Sequence, residues 1–242
     1  MRDYNNETIK RVNFIKDAMQ KASATSLVFG NSGGKDSALV GILAKMACEN
    51  TVGVIMPCKS TQNYNADKTD GLAVADKFNI ETITVDLSIA KDEIIDAVSE
   101  TTNVSSVAST NINPRLRMTT LYAIAQTKNA LVLGTGNKCE IYMGYFTKYG
   151  DGGCDLNPIS DLLVSEVYEF LEYLEAPLNI ITKAPSAGLY EGQTDELEMG
   201  VSYKEIEDYI NGKEISVLSK TKIQNAHNRT THKRALPLFF PD

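Results

Sequence analysis

The chain has 242 residues, of which 43% are hydrophobic and 23% charged. That length suits one globular domain burying roughly 70–75% of its unfolded surface, with no need of a disulfide or metal staple. Lys plus Arg number 24 against 31 Asp plus Glu, a formal charge of −7, which argues against a nucleic-acid partner unless a basic face is segregated. No apolar run approaches a membrane span, and the polar start MRDYNNETIKRV has no signal-peptide core behind it. Cys48, Cys58, Cys139 and Cys154 form no CxxC, which argues against a zinc knuckle, an iron–sulfur site or a thioredoxin-like pair, and reduced cytosolic thiols are expected.

In chain order, residues 5–22 predict an amphipathic helix with Ile9, Val12, Ile15, Ala18 and Met19 on its buried face. Thr25–Gly30 reads as a buried strand, and residues 36–49 as a helix capped by Asp36 or Ser37. TVGVIMP is a second strand stopped by Pro57, residues 65–78 a helix, Glu81–Leu87 a third strand, and 89–100 a helix. The polar, β-branched run 101–113 reads as a loop, with Pro114 opening a helix to about Lys128 and NALVLGTG as a fourth strand. This β-α-β-α-β-α-α-β order predicts an α/β fold, a doubly wound, mainly parallel sheet flanked by helices. Its ligand lies beyond the strands' carboxyl ends, so the loops after Gly30, Met56, Val85 and Leu133 are expected to line the site. Farther on come a turn-rich loop (146–161), a helix near 163–175, a loop (184–196), helices near 202–211 and 214–226, and a basic tail. The loops 101–113 and 184–196 have the length and composition of lids.

Gly30-Asn31-Ser32-Gly33-Gly34-Lys35-Asp36-Ser37 carries the clearest chemistry. It joins a strand to a helix. Its glycines let successive N–H groups point into one concavity, backed by the helix dipole, and Ser32 and Ser37 add hydroxyls. Phe29 and Asp36 break the GxxxxGK[ST] pattern. An acid among phosphates is repulsive unless a cation lies between, so Asp36 predicts Mg²⁺ bridging to pyrophosphate. Glu140, a few residues past the fourth strand, is a second candidate acid. Tyr142, Tyr145, Phe146 and Tyr149 offer stacking surface for a base or core packing, and His227 reads as a solvated helix-end residue.

The string SGGKDS resembles the signature of the ATP-pyrophosphatase superfamily, whose members cleave ATP between the α- and β-phosphates and adenylate a substrate oxygen. Pro114–Met118, Leu133–Glu140, Gly144–Asp155, Ala184–Ala187, Gln193–Glu196 and Thr231–Arg234, in that order and spacing, resemble the ammonia-using NAD synthetases, from about residue 8 to 235. The resemblance implies an adenine nucleotide alpha hydrolase-like fold in a single domain over 1–242. Its ATP-pyrophosphatase core covers about 23–175, and a lid loop and helical C-terminal segment cover about 176–242. It implies a C–N ligase that converts nicotinic acid adenine dinucleotide, ATP and ammonia into NAD, AMP and pyrophosphate through a nicotinyl-adenylate, as a cytoplasmic homodimer.

Carried over residue by residue, Gly30 to Ser37, Thr135 and Ser186 would contact ATP, and Asp36 and Glu140 would ligate Mg²⁺. Arg115, Lys148, Asp155, His232 and Lys233 would contact the dinucleotide, with Asp36, Lys148 and Asp155 in the reacting centre. One departure is that the family's ATP-contacting lysine is Val164 here, leaving Lys35, Lys183 or a partner-chain cation to supply the charge. A chain this short leaves no room for an amidotransferase domain, so the nitrogen is expected as free ammonia. Two rival readings are weaker. A tRNA thiolase of the same superfamily wants RNA affinity and usually a cysteine pair, and a non-catalytic nucleotide sensor has little use for two metal-ligating acids.

Overall fold

The structure, a computed structural model, describes residues 2–59, 67–183 and 195–240. Helix α1 (Tyr4–Ala22) leads into β1 (Ser26–Gly30), α2 (Lys35–Ala47), β2 (Thr51–Ile55), α3 (Lys68–Phe78), β3 (Glu81–Thr84), α4 (Ser88–Ser99), α5 (Ser106–Lys128) and β4 (Ala130–Leu133). The helices α6 (Lys138–Met143), α7 (Val164–Tyr173), α8 (Leu178–Ile181), α9 (Asp195–Met199), α10 (Tyr203–Ile210) and α11 (Val217–Arg229) follow, with a 3-10 turn at Thr231–Lys233. The four strands form one parallel sheet in the order β3-β2-β1-β4, with Val28 opposite Val52 on one side and Val132 on the other.

The alternation along β1 builds two cores. Leu27 and Phe29 pack with Ile15, Leu39, Leu43 and Phe170 on the face covered by α1, α2 and α7. Val28 packs with Val54, Leu121 and Val132 on the face covered by α5. A third apolar cluster joins α6, α10 and α11 through Cys139, Tyr203, Ile206 and Ile223. The doubly wound α/β fold read from the sequence is the observed one, with the crossover from β3 back to β4 leaving β1 and β2 in the centre.

Three local expectations are corrected. The run 101–113 is a loop only as far as Ser105: α5 starts at Ser106 and holds Pro114 in its interior. Ser105 caps it by accepting from the Ala108 N–H at 3.2 Å, and Thr110 and Asn111 donate their side chains to the carbonyls of Ser106 and Val107. Polar groups that suggest a loop are thus satisfied along the helix itself, and a wall stands where a lid was expected. The helix after β1 is capped by Gly34 rather than Asp36 or Ser37 and makes no side-chain cap bond. The buried stripe of α1 runs through Tyr4, Thr8, Arg11, Ile15 and Met19, and Ile9 is half exposed at 52%.

That stripe is held by a charge cluster. Arg11 donates to both carboxylate oxygens of Asp161 (2.6 and 3.0 Å), to Glu7 (2.7 Å) and to the Pro158 carbonyl. The guanidinium therefore ties α1 to the segment leading into α7. Burial alone would raise the Asp161 carboxyl, but the Arg11 hydrogen bond, Arg11 charge and Arg2 charge hold it below the usual carboxylate range. Arg11 is buried but Asp161 is half exposed, so solvent screens part of the pair and much of what Arg11 contributes is its hydrogen bonds to Glu7 and the Pro158 carbonyl. Arg11→Met is expected to lower unfolding free energy by about 1–2 kcal/mol at pH 7 in urea titrations. A carboxyl depressed in the folded state adds stability above its unfolded pKa of about 3.9 and loses it as pH falls through the folded value. The gap between wild type and variant is therefore expected to narrow from pH 5 towards pH 2, and a pH-independent gap would contradict this role.

Candidate active site

A cavity of about 1010 Å³ opens at the carboxyl ends of β1, β2 and β4, within the usual range for small-molecule sites. The loops after Gly30, Met56 and Leu133 line it; the loop after Val85 does not, because the cavity centres on β1 and β4 and β3 lies two strands from β1. One wall is the first turns of α5, through Ser106, Thr110 and Asn111.

The loop from Gly30 to Ser37 forms the floor. Asn31 is buried and hands its Nδ2 proton to the Gly71 carbonyl at 3.0 Å, locking the loop against α3. Gly33 has φ +71°, and a Cβ there would lie 2.1 Å from the Asp67 carbonyl oxygen, so no side chain fits. Ser32 and Ser37 share a hydrogen bond of 3.0 Å between their hydroxyls. Because α2 has no side-chain cap, the N–H groups of its first turn remain available to an anion, and Gly34, Lys35, Asp36 and Ser37 all line the cavity.

Asp36 and Glu140 meet here, joined by Asn137. This asparagine, fully buried, caps α6 in a reciprocal box: Oδ1 accepts from the Glu140 N–H at 3.1 Å, and the Glu140 Oε2 accepts from the Asn137 N–H at 2.9 Å. Its Nδ2 donates to Asp36 Oδ1 at 3.3 Å. Lys35 Nζ donates to the other oxygen, Oδ2, at 2.8 Å. Burial first, and then the neighbouring Asp36 charge, push the Glu140 carboxyl well above the carboxylate range, against the pull of Lys35 and the Asn137 N–H. Burial alone would lower the Lys35 ammonium, yet Asp36 and Glu140 hold it above its ordinary value. Two acids brought together at the cavity floor, one of them held above the carboxylate range by burial and by its neighbour, form a fitting donor set for a divalent cation. Among the described residues no group of three or more His, Cys, Asp or Glu could hold a metal, and a shell of two carboxylates completed by water and phosphate oxygens is the ordinary one for Mg²⁺.

Thr135 lines the cavity between Gly134 and Gly136, and a Cβ at Gly134 would lie 2.5 Å from the Cys154 sulfur, so any side chain there would have to push Cys154 aside. Val164 opens α7 with its side chain in the apolar cluster of Cys139 and Tyr203. Of the described alternatives for its missing charge, Lys35 and Lys183 both line the cavity. Lys183 bridges Asp67 (2.8 Å), Asp70 (2.7 Å) and the Gly33 carbonyl (3.3 Å), tying the phosphate loop to α3. Ser186 lies outside the described residues, as do 184–194 of the second lid segment; Asp195 and Glu196 open α9.

The expected dinucleotide contacts divide. Lys233 lines the cavity, donating to the carbonyls of Gly144 (2.8 Å) and Phe146 (2.5 Å). Arg115, Lys148, Asp155 and His232 do not line it. Lys148 donates to the His232 carbonyl at 2.5 Å, so loop and tail are latched together. Asp155 covers the outer edge of β4, accepting the Val132 N–H at 2.7 Å and the Tyr122 hydroxyl at 3.1 Å. His227 is not the solvated helix end expected from its sequence: it stacks on Tyr142 at 4.2 Å, with Nδ1 2.9 Å from the Tyr142 carbonyl oxygen. Tyr145 and Phe146 line the cavity, whereas Tyr149 is exposed.

Sequence reasoning missed three residues. Arg117 stands on the cavity wall with Nε donating to the Met56 carbonyl at 3.1 Å, two positions from the arginine that the motif had singled out. Asn137 gave no sign beyond an N-cap residue three before a glutamate. Asp195, buried and lining the cavity, accepts from the Tyr203 hydroxyl at 2.8 Å and the Tyr145 hydroxyl at 3.3 Å.

A sequence model of the NAD synthase family matches residues 7–237. The chain is 43% identical over 238 residues to the NH(3)-dependent NAD(+) synthetase of Carboxydothermus hydrogenoformans, covering 97% of each chain. It is 43% identical over 235 residues to that of Alkaliphilus oremlandii, covering 93% of each. Its fold overlays an NMN synthetase from Francisella tularensis with a TM-score of 0.93, 41% identity and 99% coverage of both chains. It overlays an NH3-dependent NAD synthetase from Campylobacter jejuni with a TM-score of 0.82, 29% identity and full coverage of both. Matched by the family's model over almost its whole length and by relatives more than 40% identical, the chain belongs to the NAD synthase family.

Proposed function

We propose that the chain is a C–N ligase that amidates nicotinic acid adenine dinucleotide to NAD with ATP and ammonia. The observation that carries this reading is the meeting of Asp36 and Glu140 over the open N-terminus of α2. The triphosphate lies along Gly30–Ser37, with the hydroxyls of Ser32, Ser37 and Thr135 as donors. Asp36 and Glu140 would hold Mg²⁺, which would supply charge neutralisation for the pyrophosphate leaving group. A nicotinate carboxylate oxygen displaces pyrophosphate from the α-phosphorus, and ammonia then attacks the acyl carbon, expelling AMP and shedding its proton. Walls from α5 and the Gly144–Gly153 segment line the cavity in which the acyl-adenylate would form.

Lys233 and Arg117 supply positive charge inside the cavity for the anionic substrate. Arg115, Lys148, Asp155 and His232 meet the dinucleotide where it leaves the cavity, at the interface of a homodimer. Ser186 adds a hydroxyl to ATP. A second reading is favoured by the overlay on the Francisella tularensis NMN synthetase, closer than that on the Campylobacter jejuni protein: the nicotinate is carried on the mononucleotide. The same adenylation chemistry serves both.

Purified protein supplied with ATP, MgCl₂, ammonium and nicotinic acid adenine dinucleotide is expected to yield NAD and AMP in equal amounts. ADP in place of AMP would contradict the mechanism. A higher kcat/KM for the mononucleotide in the parallel assay would install the second reading. Asp36→Asn is expected to cut AMP formation by at least ~100-fold, through loss of a metal ligand and its charge; near-normal turnover would remove Asp36 from the site. Asn137→Ala, which severs the link between the acids, is expected to raise the Mg²⁺ concentration for half-maximal rate, by ~10-fold, while dinucleotide KM stays within about twofold.

A further inference from the structure

The first turn of α2 places a lysine beside an aspartate in sequence, and neighbours in a helix point about 100° apart. Lys35 nonetheless turns its ammonium onto Asp36 Oδ2 at 2.8 Å, with only 5% of its side chain exposed. Two rings confine it there: the ammonium lies 5.5 Å from the Tyr203 centroid and 5.9 Å from that of Tyr168. These rings come from α10 and α7, so three separate elements fix one positive charge. Lysine is almost never buried to this degree unless paired.

The pairing has a consequence for Asp36. Both its oxygens are accepting, Oδ1 from Asn137 and Oδ2 from Lys35. A divalent cation ligated through Oδ2 must displace the ammonium or endure its repulsion at close range. The displaced ammonium needs a new anionic partner, since aromatic faces alone do not replace a carboxylate. Lys35 lines the same cavity as the phosphate loop, so triphosphate oxygens can provide that partner.

We propose that Lys35 is a resident counter-ion that makes metal binding conditional on the nucleotide. It neutralises the Asp36–Glu140 pair in the nucleotide-free chain and yields the pair to Mg²⁺ only when a triphosphate takes over its ammonium. This rests on Asp36 and Glu140 being the metal ligands. Lys35 thereby acts as a positioning residue: it orders the binding events rather than taking part in bond making.

The test is metal binding to the protein without nucleotide. Wild type, Lys35→Met and Lys35→Arg are compared by Mn²⁺ calorimetry and by the Tm shift on adding MgCl₂. Lys35→Met is expected to bind Mn²⁺ at least ~10-fold more tightly than wild type, since a competing charge is gone. Its Tm is expected to be lower without metal and to rise more with MgCl₂. Lys35→Arg, which keeps the charge, is expected to behave as wild type does. Should Lys35→Met not fold, Lys35→Gln carries the same comparison. Equal Mn²⁺ affinities and equal Tm shifts in wild type and Lys35→Met, both abolished by Asp36→Asn, would overturn the counter-ion role and leave the metal ligands standing. Metal binding that survives Asp36→Asn would overturn the ligand assignment and the proposal with it.

Discussion

The meeting of two half-buried acids beside a buried ammonium organises this protein. Asp36 and Glu140 come from helices that follow different strands, and two neighbouring acids do not favour each other's company. Their pairing is imposed by the parallel sheet, because β1 and β4 are hydrogen-bonded neighbours whose carboxyl ends point the same way. Asn137 then stitches the two helix starts together, and Lys35 supplies the balancing charge. The cost of holding two acids together is met by the packing beneath them, where Leu27, Val28 and Phe29 of β1 are essentially inaccessible to solvent.

The rest of the molecule supports that arrangement from behind. Helix α1 is locked to the segment before α7 by Arg11, and α7 lays Phe170 and Leu171 on the core under α2. Helices α10 and α11 close a third cluster around α6, the helix that carries Glu140. The tail reinforces it: Arg234 donates to the His227 carbonyl at 2.5 Å and to the Thr230 hydroxyl at 2.9 Å, and Lys233 grips the Gly144 and Phe146 carbonyls. Gly144, with φ +66°, passes so near Thr230 that a Cβ would lie 2.2 Å from its hydroxyl, and this close approach joins α6 to α11.

Much of this was legible in the residues, because the governing chemistry is local. Apolar strands with turn residues after them announce a parallel sheet, and glycines with an acid and hydroxyls between strand and helix announce the loop that floors the cavity. Glu140 could be suspected because it falls just past a strand end. Other features depended on partners far away in sequence. The start of α5 was hidden because Thr110 and Asn111 satisfy their polar groups on the preceding turn, which composition alone cannot show. Ile9 was assigned to the core on periodicity, yet Arg11 holds the buried stripe because its partner Asp161 waits 150 positions on. Arg117 and Arg115 are indistinguishable in a string, and only the helix's rotation puts Arg117 on the cavity wall. His227 looked like a surface residue until Tyr142 came under its ring.

The measurement that most directly tests the central claim follows oxygen rather than product. Nicotinic acid adenine dinucleotide labelled with ¹⁸O in its carboxylate is turned over with ATP, MgCl₂ and ammonium, and the phosphorus products are read by mass spectrometry. Attack by the carboxylate on the α-phosphorus, held over the phosphate loop and the Asp36–Glu140 pair, predicts one ¹⁸O in each AMP and none in pyrophosphate. Label in inorganic phosphate or pyrophosphate, or unlabelled AMP, would contradict it.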